Sequence, residues 1–348
     1  MQQMNDGMKY KIDEALKLLC TAPADRQALF DRADKIRKEH MGDEVYLRGI
    51  IEFSNVCSNK CAYCGIRAQN TKVNRYHMEA DEILAVAKQM AGWQQGTIVL
   101  QSGEANSPEE NKRIGEIVKR IKKETNLAVT LSVGNRSKDV YKYWHDCGAD
   151  RYLLRFETSD PKLFAEMHPD CTLDERLACL DALRETGYQV GGGFMIGVPG
   201  ETKEILAKNI LLCREYDFDM IGIGPFIPHP DTPFGNKTNA YKDDTDMFFV
   251  AVAVLRIFNP DAHIPATTAF DAVFPGHEGR NLVLQRGANI FMPNNTPQKY
   301  RGDYLLYPDK PCVDEDTGQC AICIAGRISL LGRKIGEGAG HSKKRLGD

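Results

Sequence analysis

Hydrophobic and polar positions follow two rhythms along this chain. Two amphipathic segments open it, and in the second Leu29, Ala33 and Ile36 recur on one helical face. From residue 45 onward, short β-rich apolar runs alternate with helical windows. The runs at 45–54, 97–102, 128–133, 151–157, 189–197, 220–227, 264–268 and 289–293 predict strands. Between them, Ile83, Val86, Ala87 and Met90 share a helical face, as do Ile114, Ile117, Val118 and Ile121. Ser107-Pro108-Glu109-Glu110 offers an N-cap, a proline at the first helical position and a capping-box glutamate. Thr172-Leu173-Asp174-Glu175 repeats that signal, with Gly187 placed to end the helix. Further helical windows fall at 137–147, 202–216, 243–257 and 278–286.

Eight such alternations, at a spacing of roughly 30 residues, predict parallel strands joined by right-handed crossovers. The count fits a closed (β/α)8 TIM barrel with its active site at the C-terminal ends of the strands, and a doubly wound open sheet is the alternative. Residues 1–44 would form an N-terminal helical extension and 45–307 the barrel. Residues 308–348 would close it, ending in a Gly- and Lys-rich stretch, 336–348, expected to be a mobile, solvated tail.

With 42% hydrophobic and 27% charged residues, the composition excludes a disordered chain or a fibre. A net charge of −3 favours neither nucleic acid nor an anionic membrane as a partner. The longest apolar run, 247–255, is far short of the ~20 residues a bilayer requires. The opening MQQMNDGMKYK lacks the apolar stretch of a secretory signal, so a cytoplasmic protein is expected. Eleven cysteines are then informative, because in a reducing compartment clustered thiols point to metal or catalysis rather than disulfides.

Three of them, Cys57, Cys61 and Cys64, fall within eight residues just beyond the first predicted strand, in FSNVCSNKCAYCG. Three readings are open. The thiols could be a buried helical stripe, three of the four ligands of a structural zinc, or the thiolates of an iron–sulfur cube with one iron left open. The C-x3-C-x2-C spacing, with aromatic Tyr63 before the last Cys, resembles the cluster loop of the radical S-adenosylmethionine superfamily. That resemblance implies a [4Fe–4S] cluster whose open iron chelates S-adenosyl-L-methionine. An electron from the cluster would then cleave the cofactor to methionine and a 5′-deoxyadenosyl radical.

Other strand ends gain meaning beside that loop. Gln101-Ser102-Gly103-Glu104 resembles the superfamily's Gly-Gly-Glu segment, with Ser in place of the first Gly, and would meet the cofactor's amino group. Thr130 and Ser132 end the third strand and offer hydroxyls. Arg155 and Glu157 share one side of RYLLRFE; they could form a plain ion pair, or serve substrate and adenosyl group respectively. Arg176, a cation near a helix start, is poorly placed for the helix dipole and would suit the methionyl carboxylate. Met195 lies in the glycine-rich fifth strand, which resembles the superfamily's adenine-contact strand. His229, in IPHPDTP, is expected to be a loop hydrogen-bonder.

The blocks GIIEFSNVCSNKCAYCGIR, TIVLQSGE, DRYLLRFET, MIGVPGET, DFDMIGIGPFIPHPDTP, IPATTAF and GANIFMPNNTP resemble, over about residues 10–335, the HydE family of FeFe-hydrogenase maturases. This implies a role in assembling the hydrogenase diiron subcluster. The substrate would be an organometallic one, a cysteine-bound iron dicarbonyl cyanide synthon made by the partner maturase HydG. The product would pass to the scaffold HydF, and an electron donor is required. By motif position Arg155, Met220, Thr267, Thr268, Tyr304 and Tyr307 would line the substrate cavity. Cys312, Cys320 and Cys323 match the place where some members hold a second, accessory iron–sulfur cluster. Methylornithine-synthase-like mutases and biotin-synthase-like sulfur enzymes share the cluster loop and remain alternatives, as does a zinc-stabilised binding protein.

Overall fold

The structure, a computed structural model, describes residues 6–345 apart from 94, 275, 277, 312, 315 and 316, and describes no side chains for 6–10 and 317–322. Eight parallel strands run in the spatial order β6-β5-β4-β3-β2-β1-β8-β7. They are β1 (Glu44–Ser54), β2 (Thr97–Ser102), β3 (Ala128–Ser132), β4 (Arg151–Leu153), β5 (Gln189–Ile196), β6 (Met220–Pro225), β7 (Pro265–Ala266) and β8 (Ile290–Phe291). A parallel bridge between Met220 and His263 joins β6 to the residues entering β7 and completes the ring. The main-chain bonds Ile221 N–H to His263 O (2.8 Å) and His263 N–H to Asp219 O (3.0 Å) carry that closure. The closed barrel, not the open sheet, is the architecture.

Every predicted strand is present, though β4, β7 and β8 are shorter than the apolar runs that announce them. After Leu153 the chain does not continue in regular alternation. Phe156 and Glu157 both donate to Gly193 O, at 2.9 and 3.1 Å, and Met195 N–H returns to Glu157 O at 3.1 Å. Two residues thus oppose one, which is a bulge, and Glu157 takes a left-handed φ of 64°. The seventh run is cut at Ala266 because Thr268 already begins a helix.

Helices α1 (Asp6–Leu19) and α2 (Arg26–Met41) precede the barrel. Around it lie α3 (Ala80–Gly92), α4 (Pro108–Glu124), α5 (Lys138–Asp146), α6 (Pro161–Met167), α7 (Leu173–Thr186), α8 (Lys203–Glu215), α9 (Met247–Phe258), α10 (Thr268–Val273) and α11 (Gly279–Leu284). After β8 come α12 (Gln298–Arg301) and α13 (Thr317–Leu330). The Thr172/Glu175 capping box forms in full, and Gly187 ends α7 with φ 101°. Ser107 accepts from Glu110 N–H as its sequence signal predicts. The main core lies between strands and helices, where Val45, Leu47, Ile51 and Phe53 of β1 meet Ile83, Leu84 and Ala87 of α3. Burying a side chain of that size stabilises the fold by about 1.5–3 kcal/mol. Helix α9 is buried along nearly its whole length because α2 packs over its outer side. No helix among the described residues is long and apolar enough to cross a membrane.

The expected solvated tail is the clearest correction. A ninth strand, β9 (Lys334–Ile335), pairs with β1, and the following residues plug the N-terminal end of the barrel. Arg151, Thr97 and Arg48 donate to Ala339 O, Ala339 O and Gly340 O at 2.8, 2.9 and 2.9 Å. His341 Nδ1 lies 2.9 Å from both Arg151 Nη2 and Gln189 Nε2. Glycine at 340 follows from close packing rather than mobility: its φ is 54°, and an added Cβ would sit 2.6 Å from the Tyr46 ring. Burial pulls both guanidiniums at this floor down, Arg48 strongly and Arg151 to about 10.

Candidate functional site

The cysteine loop leaves β1 at the opposite, C-terminal end of the barrel. It is tied down from several sides by its own backbone. Ser58 N–H and Oγ donate to Glu104 O (2.9 and 2.8 Å), Ala62 N–H to Met167 O (2.8 Å), and Gly65 N–H to Leu306 O (2.9 Å). Gly103 must lack a side chain, since a Cβ there would run into Val56 O and Cys57 Cβ. The loop is not helical, so the packing-stripe reading of its thiols falls.

Cys57, Cys61 and Cys64 are free and half-buried. Glu104 N–H points at Cys57 Sγ (3.4 Å), and His168 Nδ1 lies 3.4 Å from Cys61 Sγ. Burial raises the pKa of the Cys57 thiol, raises that of Cys61 with help from the other two cysteines, and pushes Cys64 up to about 12. Such thiols stay protonated unless a strongly charged metal centre takes them as thiolates. Among the described residues no three His, Cys, Asp or Glu side chains are gathered for a single ion. An iron–sulfur cube differs in spreading its thiolates over separate irons, and three soft sulfurs on a short loop suit it.

Polar groups without partners face the same mouth. Arg176, on α7, is 6% exposed, and its Nη1 reaches Arg155 O at 3.3 Å, while its Nε has no partner. No carboxylate among the described residues pairs with it. Burial opposes its charge, yet Glu104, Tyr63, Cys171 and Glu157 together hold its pKa above the ordinary value. The bulge brings Glu157 back toward Arg155, whose Nε donates to Glu157 Oε1 at 3.0 Å. Glu157 Oε2 and buried Thr130 Oγ1 remain unpartnered. Glu104 Oε2 accepts from Asn59 Nδ2 on the cysteine loop (3.0 Å). Ser102 turns its hydroxyl onto Gly103 O, and Ser132, closing β3, is half-buried. Met195 packs in an apolar wall with Ala62, Met167, Phe226 and Phe234, against which Tyr63 leans.

A second group lies beside it. Gln101 Nε2 reaches the Tyr304 hydroxyl at 3.4 Å, and Thr268 Oγ1 the Tyr307 hydroxyl at 2.7 Å. Thr267 donates to Ile223 O at 2.8 Å on β6. The segment after α12 therefore closes over β2 and β7. Met220 is not with this group: as the first residue of β6 it sits at the floor, its sulfur 2.8 Å from Arg48 Nη1. Strand position alone sets this, because Met220 precedes the strand's inward glycines rather than following them. His229 accepts from Asp231 N–H at 3.2 Å, the loop role expected of it. Cys312 and the Cys320 side chain lie outside the described residues, while Cys323 is exposed on α13.

Three residues at the mouth escape the sequence reading. Glu52 of β1 and Lys310 form a buried ion pair, and Lys310 Nζ also donates to Tyr304 O (3.1 Å), latching the closing segment onto the barrel. His168, just after α6, touches both Cys61 and Tyr63. A charge inside the apolar run of β1 is a signal that would have exposed Glu52; His168 and Lys310 carry none.

Residues 51–213 match the family model described as the Radical SAM superfamily. Over 318 residues the chain is 48% identical to the [FeFe] hydrogenase maturase subunit HydE of Thermotoga maritima, covering 91% of this chain and 89% of that one. Among solved structures, methylornithine synthase (PylB) superposes with TM-score 0.81 at 25% identity, covering 94% of each chain. The FeFe-hydrogenase maturase HydG from Carboxydothermus hydrogenoformans superposes with TM-score 0.77 at 22% identity, over 92% of this chain and 73% of that one. The last shows a shared fold.

Proposed function

Because the chain belongs to the HydE family of FeFe-hydrogenase maturases, radical S-adenosylmethionine enzymes, we propose that its barrel mouth binds a [4Fe–4S] cluster and S-adenosyl-L-methionine. It would act in the cytoplasm on a cysteine-bound iron dicarbonyl cyanide synthon during diiron subcluster assembly. When bound, the cluster supplies the electron that reductively cleaves the sulfonium cofactor to methionine and a 5′-deoxyadenosyl radical. The remaining work belongs to the chain. Cys57, Cys61 and Cys64 hold three irons. Arg176 takes the cofactor's carboxylate, and Glu104, steadied by Asn59, takes its amino group. Glu157 and Thr130, each with an unpartnered oxygen, accept and donate to the adenosyl moiety. Ser102, Gly103 and Ser132 border it, and Met195 with Tyr63 supplies an apolar wall that keeps water out. Arg155, Thr267, Thr268, Tyr304 and Tyr307 orient the organometallic substrate below, joined by Gln101, which was expected at the cofactor but reaches Tyr304.

The observation that carries this reading is the mismatch at Arg176: a buried guanidinium, unpaired with any described carboxylate, close enough to Cys61 to act on its thiol. A buried cation is costly unless an anion meets it, and a bound amino-acid carboxylate does so. HydG would supply the substrate and HydF receive the product, with an electron donor for the cluster. A second cluster on Cys312, Cys320 and Cys323 belongs to the same proposal, outside the reaction itself. The 48% identity to HydE, against 25% to methylornithine synthase, favours the maturase over a mutase.

Anaerobic reconstitution with iron and sulfide tests the proposal. The expected result is an EPR signal of the reduced cluster that changes when S-adenosylmethionine is added, release of 5′-deoxyadenosine, and activation of an apo-hydrogenase when HydG and HydF are present. Zinc in place of iron, or an EPR signal indifferent to the cofactor, refutes it. Turnover of the cofactor without hydrogenase activation refutes the substrate assignment alone.

A further inference from the structure

We propose that His168 is a positioning residue for the metal site, its Nδ1–H donating to the sulfur of Cys61 and so raising the reduction potential of the cluster. This rests on the reading of Cys57, Cys61 and Cys64 as cluster ligands.

The imidazole is held with unusual completeness for a residue outside any motif. It is 5% exposed. One face stacks on Phe164 at 4.6 Å between centroids and 23° between planes, and Tyr63 meets it edge-on at 5.5 Å and 78°. Both ring nitrogens are engaged: Nδ1 lies 3.4 Å from Cys61 Sγ, and Nε2 lies 3.3 Å from the Tyr63 hydroxyl. The backbone repeats the connection, since Ala62, between those two contacts, donates to the carbonyl of Met167, the residue before the histidine.

The direction of the bond follows from the donor inventory. An iron-bound thiolate offers only lone pairs, so the short contact to Cys61 is favourable only with the proton on Nδ1. The Tyr63 hydroxyl then serves Nε2, fixing the tautomer as a partner on the far nitrogen does for metal-bound histidines. Hydrogen bonds to cluster sulfurs are one of the protein's levers on potential. Donation stabilises the more electron-rich, reduced cluster. The superfamily's chemistry demands a cluster that is both reducible by the cell's donor and strongly reducing, so this single bond trades between the two.

The test is a redox titration of the reconstituted full-length protein followed by EPR, with iron and sulfide counted for each sample. His168→Phe keeps the stacking and removes both nitrogens. His168→Gln places its amide near Nε2 and loses the bond to sulfur. His168→Asn keeps an N–H near the position of Nδ1. In the Phe and Gln variants the reduced-to-oxidised ratio at a fixed potential should fall about tenfold, a negative shift of about 59 mV for one electron. The Asn variant should stay near the wild type. An unmoved midpoint in either fully loaded Phe or Gln variant overturns the proposal, as does an Asn shift as large as theirs. If the wild type loads but neither Phe nor Gln variant retains iron, His168 is an assembly residue and the proposal also fails. No cluster in the wild type would instead sink the reading on which it rests.

Discussion

Arg176 shows how a single side chain can be read from its discomfort. A cation near a helix start opposes the dipole, and that oddity is visible in the sequence. The structure adds the reason to care: the guanidinium is buried, bonded to one backbone carbonyl, and unpaired at Nε. The two effects of Arg176→Met therefore differ in size. Glu104 and Glu157 already favour the guanidinium's charge, so its removal should leave the cofactor-free protein only slightly less stable, by thermal melting. Losing a charge-assisted bond to a carboxylate, worth about 1.5–3 kcal/mol, should weaken S-adenosylmethionine binding roughly tenfold to a hundredfold. A variant that melts lower yet binds the cofactor normally would make Arg176 structural. Glu157 was legible in the same way, as a charge in an apolar run, although its approach to Arg155 comes through a bulge that period-2 alternation does not contain. His168 and Lys310 were not legible, because their partners lie about a hundred and two hundred and sixty residues away.

At the scale of elements, local chemistry is what the sequence records. The capping signals, Gly187 and the apolar runs of β1 to β3, β5 and β6 act through near neighbours, and they mark their elements to within about two residues. Helix α6 was overlooked although Asp160 and Pro161 carry its start, since seven residues are too few to show a period. The tail misled for a physical reason: Gly-rich composition suits solvated chain and close-packed chain alike, and only Tyr46, Thr97 and Arg151 decide between them. Deleting residues 337–348 should thus uncover Arg48 and Arg151 and lower the melting temperature by about 10 °C, from several lost bonds to buried charged donors. An unchanged melt would mean the plug is decorative. The connection from β5 to α8 makes a different prediction. Glu201 bonds Gly197 N–H (2.5 Å) and Asn209 Nδ2 (3.1 Å), yet burial pushes its carboxyl up to about 8. The folded protein then holds this proton more tightly than the unfolded chain does. Its contribution to stability is complete below the ordinary value of 4.5 and is lost as pH rises through about 8. Between pH 5 and 8 the wild type should lose thermal stability relative to Glu201→Gln; parallel curves would place the carboxyl's pKa elsewhere.

The whole molecule divides its tasks along the barrel axis. TIM barrels are ordinarily filled by layers of bulky side chains. Here β6 instead turns Gly222 toward the stem of Arg155 and Gly224 toward the hydroxyl of Thr267. The floor is sealed by the tail, and the thiols and Arg176 sit at the mouth, so under the proposed function the glycine layer is the place for a substrate beneath the cofactor. No local pattern announces that layer, because an inward glycine and an ordinary strand glycine look alike in sequence. Gly222→Leu separates the two tasks. A Cβ there meets Arg155 Cδ at 3.7 Å, an ordinary contact, but the branched end must displace the guanidinium or occupy the substrate's place. A displaced guanidinium also releases Glu157 Oε1, but the backbone ties of the cysteine loop do not involve it. The variant should load its cluster, still change its EPR signal with S-adenosylmethionine though at a higher cofactor concentration, and lose hydrogenase activation by about a hundredfold, the scale expected when a reacting group is misplaced by about 1 Å. Full activation by this variant would mean the organometallic substrate reacts outside the barrel; loss of the cofactor response as well would mean mouth and interior are one site rather than two.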